Sequence, residues 1–279
     1  MIVQRPSVSI AVSIILLYLC IANKKRMSNR PLIFVTNDDG IHAKGLRELV
    51  EVVQLFGDVV VIAPESAMSG MSNAITTDKP LRAQKLSEDP GILVYKCSGT
   101  PVDCVKLGFN HLLERTPDFV VSGINHGANS SISVVYSGTM GAAIEGCLHG
   151  IPSIGFSLLD FSPEADFSRA KIFAAKIFQA VLNNGLPPFT CLNVNIPTGS
   201  PKGIKICRQA NGKWIEEFDK RTDPFNRNYF WLSGSFQNFE EQARDTDVYA
   251  LDNNFVSVVP VKVDMTNYET IELLKSWKF

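Results

Sequence analysis

The stretch Leu32-Ile33-Phe34-Val35-Thr36-Asn37-Asp38-Asp39-Gly40 decides the fold. Its first half is an apolar run with no polar alternation, which predicts a buried strand of the kind found inside parallel sheets. Its second half carries two adjacent carboxylates off the end of that strand, where open α/β sheets bind their ligands. Paired carboxylates repel each other unless a cation or a proton intervenes. Hard oxygen ligands suit Mg²⁺ or Mn²⁺ rather than zinc. An Asx-rich turn with Gly40 at positive φ has the same composition, so the partners of Asp38 and Asp39 must be sought elsewhere in the chain.

From Pro31 onward strand and helix signals alternate, which predicts an α/β fold built of βαβ units around a parallel sheet. Strands are expected at Leu32–Thr36, Val59–Ile62, Asp118–Ser122, Ile154–Leu158 and Cys191–Asn195. Helices are expected at Gly45–Phe56, from Pro101 through Val102–His111, from Ser137 through Leu148, and at Phe167–Leu182. A hairpin is expected within Leu81–Cys97, and loops at Glu65–Ala74 and Gly123–Tyr136. Beyond Pro197 the helix signal fades. Short strands at Ile204–Arg208, Lys213–Glu217, Tyr229–Leu232 and Phe255–Val261 predict a β-rich arm over residues 203–262, an appendage of one domain covering residues 27–279.

The chain of 279 residues is 45% hydrophobic and 20% charged, an ordinary globular composition. A formal net charge of −1 argues against a nucleic-acid polymer as partner. The six cysteines are scattered without a C-x-x-C pair, which fits reduced thiols in a cytoplasmic protein better than a disulfide framework or a zinc site. Residues 1–26 stand apart. Ser7–Ala22 is apolar but, at about 16 residues, short of the roughly 20 that a spanning helix needs. Lys24-Lys25-Arg26 follow it, and Met27 opens the segment leading into the first strand. A mis-set start or a dispensable extension is favoured over a weak membrane anchor, and no stable membrane association is expected.

Four loops at strand ends can converge on Asp38 and Asp39. Ser69 offers a hydroxyl and Asn125 an amide oxygen, both acceptable to a hard cation, although each is also a common turn residue. Ser137-Gly138-Thr139 opens a helix whose free N–H groups and dipole form an anion site; an N-cap serine explains Ser137 alone equally well. Asn73 and Thr76 follow Ser69 and can face the same pocket, whereas Asp103 is read as stabilising its own helix, and His42 and His126 as rim residues. Together these place a cation beside a phosphate cradle, an arrangement suited to phosphoester hydrolysis by metal-activated water. Neither aspartate is excluded as a covalent nucleophile.

These residues match a known family. The chain resembles the SurE-type 5′/3′-nucleotidases, the stationary-phase survival proteins, from Pro31 to Thr266. The resemblance rests on Val35-Thr36-Asn37-Asp38-Asp39-Gly40-Ile41-His42-Ala43, Ala63-Pro64, Ser69-Gly70 and Ser72-Asn73. It continues through Ser98-Gly99-Thr100-Pro101-Val102-Asp103-Cys104-Val105, Val121-Ser122-Gly123-Ile124-Asn125, Tyr136-Ser137-Gly138-Thr139 and Arg221-Thr222-Asp223-Pro224. It implies a metal-dependent phosphatase of nucleoside 5′- and 3′-monophosphates, sometimes acting on short polyphosphate, with one Mg²⁺ or Mn²⁺ per subunit. By position, Asp38, Asp39, Ser69 and Asn125 correspond to the metal ligands, with Asp38 and Asp39 in the catalytic role. Asn129, Ser137, Gly138 and Thr139 correspond to phosphate contacts, with Asn73 near them. The implied fold is a Rossmann-like three-layer sandwich whose C-terminal β-extension is exchanged within a homodimer or homotetramer.

Two departures stand out: Met68 where many members carry Arg, and Ser130-Ser131-Ile132-Ser133 where many carry an acidic pair. Three other readings compete: a phosphatase with a covalent aspartyl-phosphate, a nucleotide-binding module without catalysis, and a membrane-tethered interaction protein. The first usually spaces its carboxylates by one residue, and the second lacks its usual G-x-G-x-x-G or Walker loop.

Overall fold

In the computed structural model, which describes residues 30–278, the chain runs β1 (Leu32–Thr36), α1 (Lys44–Val53), β2 (Asp58–Pro64), β3 (Ala83–Asp89), β4 (Ile92–Cys97) and α2 (Pro101–Leu107). It continues β5 (Phe119–His126), α3 (Gly138–Leu148), β6 (Ser153–Leu158), α4 (Ser168–Asn184) and β7 (Thr190–Ile196). The remainder is β8 (Ile204–Ile206), β9 (Gly212–Ile215), β10 (Phe218–Thr222), β11 (Asn228–Leu232), β12 (Ser235–Asn238), α5 (Asp247–Asp252), β13 (Val256–Lys262) and α6 (Tyr268–Lys275).

A nine-stranded sheet has the order β3-β4-β2-β1-β5-β6-β7-β13-β8. The six central strands from β4 to β7 are mutually parallel; β3 and β13 pair antiparallel at the two sides. Alternate residues of the apolar runs feed opposite faces. Ile33, Val35, Val59, Val61 and Val121 pack with Leu46, Leu49 and Val53 of α1 and Ala174, Ile177 and Phe178 of α4. Phe34, Val60, Ile62 and Val120 face Cys104, Val105 and Ala142 of α2 and α3. The result is three layers, helix on sheet on helix. The packing is close at Gly45, where an added Cβ would stand 1.9 Å from the Ile124 carbonyl oxygen.

The chain leaves β1 toward β2 on one side and returns after α2 to place β5 on the other. The strand order therefore reverses between β1 and β5, the place where open α/β sheets form a ligand crevice.

Several boundaries depart from the sequence expectations. β5 extends to His126 rather than ending at Ser122, because beyond an irregularity Asn125 and His126 still pair with Ser157 and Leu158 of β6. The second helix stops at Leu107 and gives way to a π-turn over Gly108–Leu112, where Gly108 lies so close to Phe34 that a Cβ would meet its ring at 2.4 Å. In the C-terminal region two helices and the strands β10 and β12 appear where no signal was read. There β8 and β13 hydrogen-bond into the main sheet, while β9–β12 and β10–β11 form two antiparallel pairs outside it. Among the described residues no helix is long and apolar enough to cross a membrane. The expectations for residues 1–26 lie outside the described residues.

Candidate active site

The two aspartates leave β1 at the strand-order reversal. Asp38 is 4% exposed. Its Oδ1 accepts a hydrogen bond from Thr139 Oγ1 at 2.5 Å, across 101 residues of sequence. Gly138 lies against the same side chain: a Cβ there would come within 3.0 Å of Asp38 Oδ2, so only glycine admits the carboxylate. Asp39 Oδ2 accepts from the backbone N–H of His126 at 3.2 Å, beside Asn125. Burial, reinforced by neighbouring Asp39, pushes the Asp38 carboxyl up to about 6 against the opposing hydrogen bond from Thr139. Burial also raises Asp39, opposed by the His126 amide.

The loop after β2 closes one side of the crevice. The Met68 N–H donates to the Asp38 carbonyl at 2.7 Å, which brings exposed Ser69 beside the aspartates. Ser72 N–H donates to the Tyr136 carbonyl at 3.2 Å and Ser72 Oγ to the Val135 carbonyl. Gly141 in α3 faces Asn73, and a Cβ there would stand 3.3 Å from Asn73 Oδ1. Thr76 turns away. Its N–H and Oγ1 both donate to Asp103, which also caps α2 through Thr100, so Asp103 is the structural residue the sequence suggested and Thr76 does not face the crevice.

The α3 N-terminus forms the opposite wall. Ser137 is the N-cap, its Oγ accepting from Met140 N–H at 3.1 Å, and Gly138 and Thr139 are buried beside it. Asn125 directs its amide nitrogen to the carbonyls of His126 and Gly127 at 3.2 and 2.9 Å, which leaves its carbonyl oxygen as the group a ligand would meet. Asn129 is buried in an amide network: its Nδ2 donates to Ser157 Oγ, its N–H to Asn195 Oδ1, and its carbonyl accepts from Asn193 Nδ2. The Asn129 side chain therefore holds its own loop in place. The Asn193-Val194-Asn195 alternation on a buried strand was the available signal for this network, and it went unread. His42 is exposed, and the His126 ring meets Phe167 edge-on at 5.1 Å.

These groups suit a hard cation. Among the described residues neither aspartate has a Lys or Arg ion-pair partner, and no three His, Cys, Asp or Glu side chains cluster. A cation would therefore draw on the two carboxylates with hydroxyl and amide oxygens, a set typical of Mg²⁺ or Mn²⁺. Asn37 Oδ1, just past the end of β1, and Ser122 Oγ, within β5, are buried without a hydrogen-bond partner.

The model of the family described as survival protein SurE matches residues 33–216, a span containing all of these residues. The chain belongs to the SurE family. A relative described as 5′-nucleotidase SurE from Cytophaga hutchinsonii is 54% identical, over 90% of this chain and 98% of the relative. Another of the same description, from Caldanaerobacter subterraneus subsp. tengcongensis, is 41% identical over 88% of this chain and 97% of its own. The crystal structure of the SurE protein from Aquifex aeolicus superposes with a TM-score of 0.76 at 36% identity, covering 88% of this chain and 98% of that one. The SurE fold of that structure matches the layered α/β architecture found here.

Proposed function

We propose that this chain is a 5′-nucleotidase that hydrolyses nucleoside 5′-monophosphates, and 3′-monophosphates as well, to nucleoside and phosphate. The observation that carries the proposal is the Asp38–Thr139 contact, which joins the carboxylate pair to the helix N-terminus that would cradle a phosphate. The names of the relatives support the substrate class. One divalent ion, Mg²⁺ or Mn²⁺, would be held by Asp38, Asp39, Ser69 and Asn125 and would supply positive charge to the phosphoryl oxygens and acidify a water. Ser137 and Gly138 would bind the phosphate through N–H and hydroxyl donors, with Thr139, its hydroxyl proton given to Asp38, holding the carboxylate beside them and Asn73 at the rim. Asn129 would fix the loop between Asn125 and the cradle. Asp38 would orient the attacking water and take its proton, as a general base does.

We further infer that the arm formed by β9 to β12 is the surface through which the chain assembles as a homodimer or homotetramer. Phe218, Phe225, Phe230, Trp231 and Leu232 are exposed there, an apolar array uncommon on a solitary subunit. The free thiols at Cys97, Cys104, Cys147, Cys191 and Cys207 support a cytoplasmic location. Phosphate release from a panel of nucleoside 5′- and 3′-monophosphates, with Mg²⁺ or Mn²⁺ and then with EDTA, tests the activity. Metal-dependent release lost in EDTA is the expected result; no release from folded protein under either metal would leave only a binding role.

A further inference from the structure

The loop after β6 carries a large aromatic side chain that the core does not use. Phe161 is 82% exposed, on a loop whose backbone is tied on both sides of it. The backbone before it is tied by Leu159 N–H to the Ile196 carbonyl at 2.9 Å, and after it by Ser162 N–H to Asp160 Oδ1 at 2.8 Å. The ring rests on Gly127, where an added Cβ would stand 2.2 Å from Phe161 Cε1 and 2.6 Å from Cζ. Gly127 has φ +98°, and its N–H donates to the Leu158 carbonyl at 2.8 Å. One side of the ring is therefore seated on backbone and the rest faces solvent.

That backbone belongs to the candidate active site. The Gly127 carbonyl accepts the Asn125 amide at 2.9 Å, and the preceding N–H, that of His126, binds Asp39 Oδ2 at 3.2 Å. Consecutive α-carbons are about 3.8 Å apart, so the ring lies on the order of 10 Å from the Asp39 carboxylate. A nucleoside monophosphate with its phosphate at the aspartates extends its base over a distance of that order. A seated, neutral, solvent-facing ring at that range suits a flat heterocycle, and base-on-aromatic stacking is tolerant of base identity.

We propose that Phe161 is the nucleobase platform of this site, stacking the base of a nucleotide whose phosphate lies at Asp38, Asp39 and Thr139. The proposal rests on the nucleotidase reading, and its test separates the two. Adenosine 5′-monophosphate and ribose 5-phosphate share a phosphomonoester and a sugar, but only the first has a base. For the Phe161→Ala variant, kcat/KM with adenosine 5′-monophosphate falls by roughly five- to 150-fold, the range of one base-stacking contact. Most of that fall lies in KM. Turnover of ribose 5-phosphate, circular dichroism and assembly size stay as in the unmodified chain, and Phe161→Tyr restores nucleotide turnover. An equal loss on both substrates, no loss on either, or a changed assembly size without discrimination between substrates would overturn the platform. An unmodified chain active on ribose 5-phosphate but not on nucleotides would overturn it too, leaving a phosphatase of another class. Inactivity on both would overturn the nucleotidase reading and the platform with it.

Discussion

The crevice between β1 and β5 and the arm of residues 212–238 are built in opposite ways. In the crevice, short polar side chains are buried and joined across long sequence separations, Asp38 to Thr139 and Asn129 to Asn195. In the arm, strands pair only with near neighbours, β10 with β11 and β9 with β12, and large aromatic side chains face outward. A buried polar group held by several partners has little freedom to rearrange, and losing one partner strands the others. An exposed apolar array tolerates change within the subunit but is costly to leave in water, which is the physical signature of a surface that meets another molecule. On the function proposed above, chemistry depends on the first region and assembly on the second.

The sharpest break is at Asp38. Asp38→Asn is expected to lower kcat about a thousandfold while the far-UV circular dichroism stays unchanged; full activity would remove Asp38 from the mechanism. The same variant probes the strain of the buried pair. A carboxyl held at about 6 when folded, against 3.8 when unfolded, keeps its proton longer in the native state. The contribution of Asp38 to stability in EDTA therefore declines as pH rises from about 4 to about 6 and is then level. Asp38→Asn should remove that part of the decline, so the difference in Tm between the variant and the unmodified chain grows in the variant's favour from pH 4 to pH 7. A constant difference would contradict the burial assigned to Asp38.

A second break tests the layer that holds the crevice. Gly45→Ala drives a methyl into the Ile124 carbonyl beside Asn125, and overpacking of this kind costs about 3 kcal/mol. The expected fall in Tm is about 6–12 °C for a chain of this size, read by calorimetry. Asn195→Ala, which strands the Asn129 N–H and the Asn193 side chain, should cost about 1–3 kcal/mol. It should also weaken phosphate-ester binding, because Asn129 lies on the loop leading to the cradle. Unchanged KM would detach the amide network from the site.

The smallest effect on the subunit itself is expected in the arm. Replacing Phe230 and Trp231 together by Ser should change the unfolding free energy of the isolated subunit by under about 1 kcal/mol, as exposed positions do. Assembly size by light scattering should nevertheless drop. An unchanged assembly would leave the arm's aromatic face without the role given to it here.

The same contrast explains what was legible in the sequence. The parallel core could be read because Leu32–Val35, Val59–Ile62 and Ile154–Leu158 are continuous apolar runs, and such runs have few alternatives in a chain that alternates strands with helices. Asp38, Asp39 and the Ser137–Thr139 turn stood out because each sits at an element boundary with a chemistry that boundary favours. The reach of Thr139 to Asp38 was not legible, since it depends on α3 packing over β5 and β6. Nor was the inward turn of Asn129, which needs β5, β6 and β7 side by side. Thr76 was misplaced because its partner, Asp103, lies 27 residues away in sequence. β10, β12 and α5 are too short to give a periodic signal, and α6 buries none of its residues, so its pattern has no core to report.

On the proposed function, a carboxylate pair and a helix N-terminus meet at the β1–β5 reversal to hydrolyse nucleotide phosphomonoesters with a divalent ion. The most direct test is phosphate release from adenosine 5′-monophosphate by metal-stripped protein titrated with Mg²⁺ or Mn²⁺, alongside Asp38→Asn. Release that rises and saturates with metal, vanishes in EDTA and is lost in the variant is the predicted result. Release that is indifferent to metal, or undiminished by Asp38→Asn, would contradict it.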